Sequence, residues 1–138
     1  SGLPDPDHYS TAHDMALIMR EGLKNKKFRR IIGATDYTIK PTNMNSEPRV
    51  LHTHHPMLAP ESSYHYDGCI GGKTGYTSEA GLCLASFAEV YDREYILVTA
   101  GASGNTGSPL HVEDAVTIYN RLGKAIEAQM TGSDGSES

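Results

Sequence analysis

Apolar positions in the first thirty residues recur at helical spacing. Ala12, Met15, Ala16, Met19 and Leu23 share one face, and Leu17 and Ile18 widen it. Ser10 or Thr11 can cap this helix, Asp14 suits its first turn, and the pattern runs to about Asn25. Residues 28–32 continue apolar, as a short second helix or a turn. Tyr37-Thr38-Ile39 reads as a brief strand, and residues 40–60, broken by proline and asparagine, read mostly as loop. The pattern then changes to strands. Residues 68–74, 82–89 and 94–101 form three of them, joined by the short connections 76–81 and 90–93, which implies an antiparallel meander. The last two strands lack clean alternation, so both faces of the sheet are expected to be covered. One cover is a final helix, capped by Ser108 with Pro109 in its first turn. Its stripe is Val112, Ala115, Val116, Tyr119, Leu122 and Ile126.

At 138 residues, 38% of them hydrophobic, the chain suffices for one ordinary core. Residues 131–138 are polar and glycine-rich, and are expected to be a disordered tail or linker after a unit of residues 1–130. A net charge of -5 argues against nucleic acid, which needs a basic footprint. No run approaches the length of a membrane span, so no membrane contact is expected from this segment. A hairpin turning near Thr77 or Ser78 would set Cys69 opposite Ser86 or Phe87, away from Cys83. A disulfide then fails on geometry. His52, His54 and His55 cluster, but their spacing suits no common structural zinc pattern, so no metal is expected.

The chemistry concentrates in residues 68–81, Gly-Cys-Ile-Gly-Gly-Lys-Thr-Gly-Tyr-Thr-Ser-Glu-Ala-Gly. Lys73-Thr74-Gly75 sits where a short apolar strand runs into a turn. An ammonium beside a hydroxyl can hold a carboxylate, and a bare glycine lets another backbone lie close to the strand. Alternation puts Lys73 and Thr74 on opposite faces, so both reach one cleft only if the rim is twisted.

This run, followed by Leu82-Cys83-Leu84-Ala85-Ser86-Phe87-Ala88, closely resembles the third motif of the serine-type D-alanyl-D-alanine carboxypeptidases, the low-molecular-mass penicillin-binding proteins. Ser1-Gly2-Leu3-Pro4, His8-Tyr9-Ser10-Thr11-Ala12, Asp14-Met15-Ala16, Thr42-Asn43, Arg49 and the approach from Tyr64 to Gly75 extend the likeness over roughly residues 1–122. The resemblance implies an α+β fold: part of a β-lactamase/DD-peptidase-like domain, an antiparallel β meander flanked by helices. It implies that Lys73 lines the catalytic cleft, positions a substrate carboxylate and supports proton movement. By the same likeness, Thr74 donates to that carboxylate and Gly75 lets a peptide backbone run alongside. Tyr76 lends its N–H to an oxyanion hole, and Thr77 touches ligand.

The implied partners are the D-Ala-D-Ala stem peptide of peptidoglycan and β-lactams, outside the bacterial cytoplasm, with no cofactor. The family's Ser-x-x-Lys nucleophile motif is missing: no serine here is followed three places later by lysine. The one Ser-x-Asn string, Ser103-Gly104-Asn105, follows Lys73 in a glycine-rich connector, against the family's order. The expectation is therefore a C-terminal portion of a catalytic domain, inactive alone. Its partner would be the missing N-terminal part, whose absence leaves the sheet with one raw edge. A β-lactamase-like relative, and a non-catalytic homologue binding a partner or the cell wall, are the alternatives.

Overall fold

The computed structural model describes residues 4–105 and 107–133. Helix α1 (Ala12–Gly22) is capped by Thr11, whose Oγ1 accepts from the Asp14 N–H at 3.0 Å. It stops before Asn25, because Asn25 caps a second helix instead. The Asn25 side chain accepts from the N–H groups of Lys27 and Phe28, opening α2 (Lys26–Ile32). Strand β1 (Asp36–Ile39) pairs antiparallel with β2 (Arg49–His52). β2 corrects the expectation of a loop over most of residues 40–60. It is short and exposed at all four positions, so it carries no alternating signal.

Strands β3 (Cys69–Thr77), β4 (Gly81–Val90) and β5 (Arg93–Ala102) form the expected meander in the order β3-β4-β5. β3 runs three residues past its predicted end, because Gly75, Tyr76 and Thr77 stay paired with Cys83, Leu82 and Gly81. Only Ser78-Glu79-Ala80 are left to turn the chain. Gly81 takes φ +68 at the exit, and Thr77 Oγ1 accepts from the Ala80 N–H at 3.0 Å. The second hairpin turns on Tyr91 and Asp92, both at positive φ (50 and 59), as a tight two-residue turn demands. A bulge between Cys69 and Gly71 sets Cys69 opposite Ala88, not Ser86 or Phe87. Cys83 lies opposite Gly75, far along the strand, and both thiols are free.

Helix α3 (Leu110–Ser133) covers one face of the sheet. Its start differs slightly from the prediction. Ser108 bridges Asn105, while the Pro109 carbonyl accepts the first helical N–H groups, from Val112 and Glu113. The predicted stripe holds: Val112, Ala115 and Tyr119 are fully buried against Met57, Leu84, Ala88 and Val90, with Val116, Leu122 and Ile126 packed beside them. Tyr119 stacks on Tyr66 at 5.5 Å and shares a hydrogen bond of 3.1 Å with Ser86. Burial of that phenol pushes its pKa up to about 12. The helix takes in Thr131–Ser133, the start of the expected tail, and residues 134–138 lie outside the described residues.

The other face has a thinner cover. Phe87 is fully buried there, with the Arg29 guanidinium of α2 over its ring at 4.9 Å. Glu94 of β5 holds Arg29 in place through Nη1–Oε2 at 3.0 Å. Helix α1 packs against β4 and β5 but buries only Met19, leaving Ile18 at 63% exposure. The outer edges of β3 and β5 pair with no strand among the described residues.

Candidate substrate cleft

β3 carries its chemistry along that free outer edge. Lys73, Thr74, Gly75 and Tyr76 line a single cleft of about 520 Å³, closed by His54, Pro56, Leu82, Pro109 and His111. Lys73 and Thr74 thus both border one opening despite their alternation. The Lys73 side chain is exposed, and its ammonium donates to the neighbouring Thr74 carbonyl. Tyr76 is half exposed. Thr77 is set apart: its hydroxyl holds the β3–β4 turn, and it lines a neighbouring hollow of about 510 Å³ with Pro6, His8 and Ala80.

Two glycines of β3 play opposite parts. A Cβ at Gly72 would stand 2.5 Å from His55 Nε2 and 2.7 Å from the Ala85 carbonyl oxygen, so packing demands glycine there. A Cβ at Gly75 would meet nothing within 4 Å. Gly72→Ala is therefore expected to cost about 1–3 kcal/mol through overpacking, and Gly75→Ala to unfold at the parent's temperature. Thermal melts of both variants check this pair.

The histidine cluster does not converge. His52 Nδ1 pairs with Asp36 Oδ1 at 2.6 Å across the β1–β2 ladder, His54 stands in the cleft, and His55 is buried. The loop expectation for residues 40–60 hid the first of these pairings, because it left His52 without a strand partner. Among the described residues no three metal-capable side chains gather. The buried His55 is held down to about 4 by desolvation first, then by the His111 and Lys73 charges. His111, in the first turn of α3, is also lowered by burial, with Asp114 acting against it. No local signal marks His111 as part of this site, because the return of α3 over the sheet alone brings it to the cleft.

Ser86 is buried beneath Tyr119, and burial pushes the Cys69 thiol up to about 11. Asn105 shapes its own turn, its Oδ1 accepting from the Gly107 N–H at 2.8 Å.

A helix-flanked antiparallel meander with a Lys-Thr-Gly rim is the architecture of a penicillin-recognising peptidase domain. The chain belongs to the D-alanyl-D-alanine carboxypeptidase family, Peptidase S11, whose family model matches residues 1–104. It is 32% identical over 103 residues to D-alanyl-D-alanine carboxypeptidase DacF of Bacillus subtilis, covering 75% of this chain and 25% of that protein. It is also 32% identical over 119 residues to a D-alanyl-D-alanine carboxypeptidase of Streptomyces, covering 86% of this chain and 39% of that one. The fold is similar to a crystal structure of a Mycobacterium tuberculosis D-alanyl-D-alanine carboxypeptidase, with TM-score 0.70 and 27% identity over 87% of this chain and 43% of the other. A variant of a Streptomyces DD-transpeptidase gives TM-score 0.70 and 29% identity over 85% and 43%. The chain thus spans between a quarter and two-fifths of the length of these curated relatives.

Proposed function

We propose that these residues form the wall of a serine D-Ala-D-Ala carboxypeptidase that grips the negatively charged end of a peptidoglycan stem peptide. The attacking serine comes from polypeptide outside the 138 residues. One observation carries this reading: four of the five site residues predicted from sequence line one open cleft along the free edge of β3. The ammonium of Lys73 and the hydroxyl of Thr74 take the terminal carboxylate. Gly75 leaves room for the peptide to run beside β3 as an added strand. The Tyr76 N–H serves as one of two oxyanion donors, the other being the serine's own, and Thr77 acts by fixing the turn beyond them. In the whole enzyme the serine forms an acyl-enzyme and releases the terminal D-alanine, and β-lactams acylate that same serine. Such a substrate places the protein in the bacterial cell envelope, outside the cytoplasm. No helix among the described residues is long and apolar enough to cross a membrane.

NMR titration of the 138-residue chain with an N-acylated peptide ending in D-Ala-D-Ala tests the wall. Binding should perturb the Lys73–Tyr76 amides and disappear for the same peptide with an amidated end. Lys73→Ala removes a hydrogen bond to a charged group worth about 1.5–3 kcal/mol, so affinity should fall by about tenfold to a hundredfold. Equal affinity for acid and amide would overturn the reading. Rapid labelling of this chain by a fluorescent penicillin would overturn the assignment of the serine to polypeptide outside it.

A further inference from the structure

Behind the rim lie two imidazoles that the peptide-gripping role leaves unused. His55 is 4% exposed and His111 5% exposed. The edge of the His55 ring abuts the β3 backbone at Gly72, the residue immediately before Lys73, and fills the space a side chain there would need. Its own backbone is pinned. The His55 N–H donates to Thr53 Oγ1 at 3.1 Å, and its carbonyl accepts from Leu58 N–H at 3.0 Å. His55 Nδ1 accepts from the Met57 N–H at 3.4 Å, which fixes the neutral tautomer with the proton on Nε2. Nε2 of His55 and Nδ1 of His111 are buried and find no partner among the described residues.

The geometry points to His55, with His111 as its charged neighbour, as an acid-sensitive support beneath β3, one that holds Lys73, Thr74 and Gly75 in place only while the His55 ring is neutral. Protonating His55 turns its Nδ1 into a donor facing the Met57 N–H, so that hydrogen bond is lost. It also adds a buried cation among charges that do not neutralise it. β3 supplies Lys73, and α3 supplies His111 with Asp114 acting on it; His54 is the other imidazole in the cleft. Burial and the like charges keep His55 neutral down to about 4, so the support is intact near neutrality. Below that, the ring gains by leaving its slot for water, and Gly72 loses what braces it. His55 is a positioning residue: it does not need to touch a ligand.

The consequence for a carboxylate ligand rests on the reading proposed above; the support itself does not. Simple attraction predicts that an anionic peptide binds more tightly as imidazoles become charged. A collapsing support predicts the opposite: binding that holds between about pH 6.5 and about pH 5 and weakens only as the pH falls through about 4.

The test is an NMR pH titration of the isotopically labelled 138-residue chain, following both imidazoles and the amides of Gly72–Gly75. The rim amides should shift with the midpoint of the His55 ring, and this shift should vanish in His55→Asn, whose amide oxygen still accepts from Met57. His111→Gln removes a like charge and should raise the His55 midpoint, which keeps the test open if His55→Asn fails to fold. Rim amides that stay still while His55 titrates, or a rim transition that survives in His55→Asn, would overturn the proposal. So would a His55 midpoint that ignores His111→Gln. A rim that responds to acid in a chain that binds no D-Ala-D-Ala peptide at neutral pH upholds the support and refutes the carboxylate-gripping wall instead. Peptide binding that tightens in acid refutes the support alone.

Discussion

Replacing Phe87 by alanine will cost this fold about 3–5 kcal/mol, the range for deleting a fully buried aromatic side chain. Phe87 has no exposed surface, and the space it would vacate cannot close. On one side lies Gly71, where an added Cβ would stand 2.6 Å from the Phe87 ring, so the strand backbone itself is the wall. That same point lies 2.8 Å from the Ile32 carbonyl oxygen, so the end of α2 stands against the strand and neither can move in without breaking ladder or helix. Above the ring sits Arg29, tied to Glu94, which keeps the guanidinium over the hole. The loss is therefore a transfer penalty plus a cavity that does not collapse, together with a cation–π contact. Urea unfolding followed by circular dichroism gives the difference directly. Phe87→Leu keeps most of the volume and should lose less than about 1.5 kcal/mol. A Phe87→Ala variant within about 1 kcal/mol of the parent would mean that α2 does not belong to the packed core. The effect should also reach the cleft, because Gly71 precedes Lys73 by two residues and leans on this ring.

How far the chain could be read in advance follows from how local each signal was. The β3–β4–β5 meander was legible because its hairpins are short and its partners adjacent in sequence. Only the end of β3 was misjudged, where Gly75 and Thr77 look like turn residues yet keep their ladder partners. β2 was illegible for the opposite reason. Arg49–His52 is exposed on every residue and pairs across a connection of proline and asparagine, so neither periodicity nor proximity announced it. The rim residues Lys73 to Tyr76 were legible through a contiguous motif. His111 was not, since it joins the site only when α3 returns over the sheet. Nor does the string His-Thr-His-His say which of its imidazoles will be buried. That is decided by Gly72, whose missing side chain makes the slot that His55 fills.

That slot gives the second large effect, a stability that falls in mild acid. His55 titrates near 6.5 when the chain is unfolded and near 4 in the fold, where burial and the charges of His111 and Lys73 oppose its protonation. The folded pKa is the lower one, so between these values the unfolded chain binds the extra proton and stability must rise with pH. The contribution is whole above pH 6.5, declines as pH falls toward 4, and flattens below that. Each pKa unit corresponds to about 1.36 kcal/mol, so His55 alone accounts for about 3 kcal/mol across the window. His111, lowered by its own burial, adds in the same direction. The depressed carboxyls of Glu21 and Glu79 act lower, below the ordinary carboxylate range, so they leave this window largely to the imidazoles. Unfolding free energies measured at half-unit steps from about pH 7 to about pH 4 should therefore show a steep limb in the parent chain. His55→Asn should flatten that limb by up to one proton's worth of slope while keeping the hydrogen bond from Met57. A limb of unchanged steepness in that variant would mean that His55 is charged, or solvated, in the native fold. The ring could not then be wedged against Gly72 with an unpartnered nitrogen.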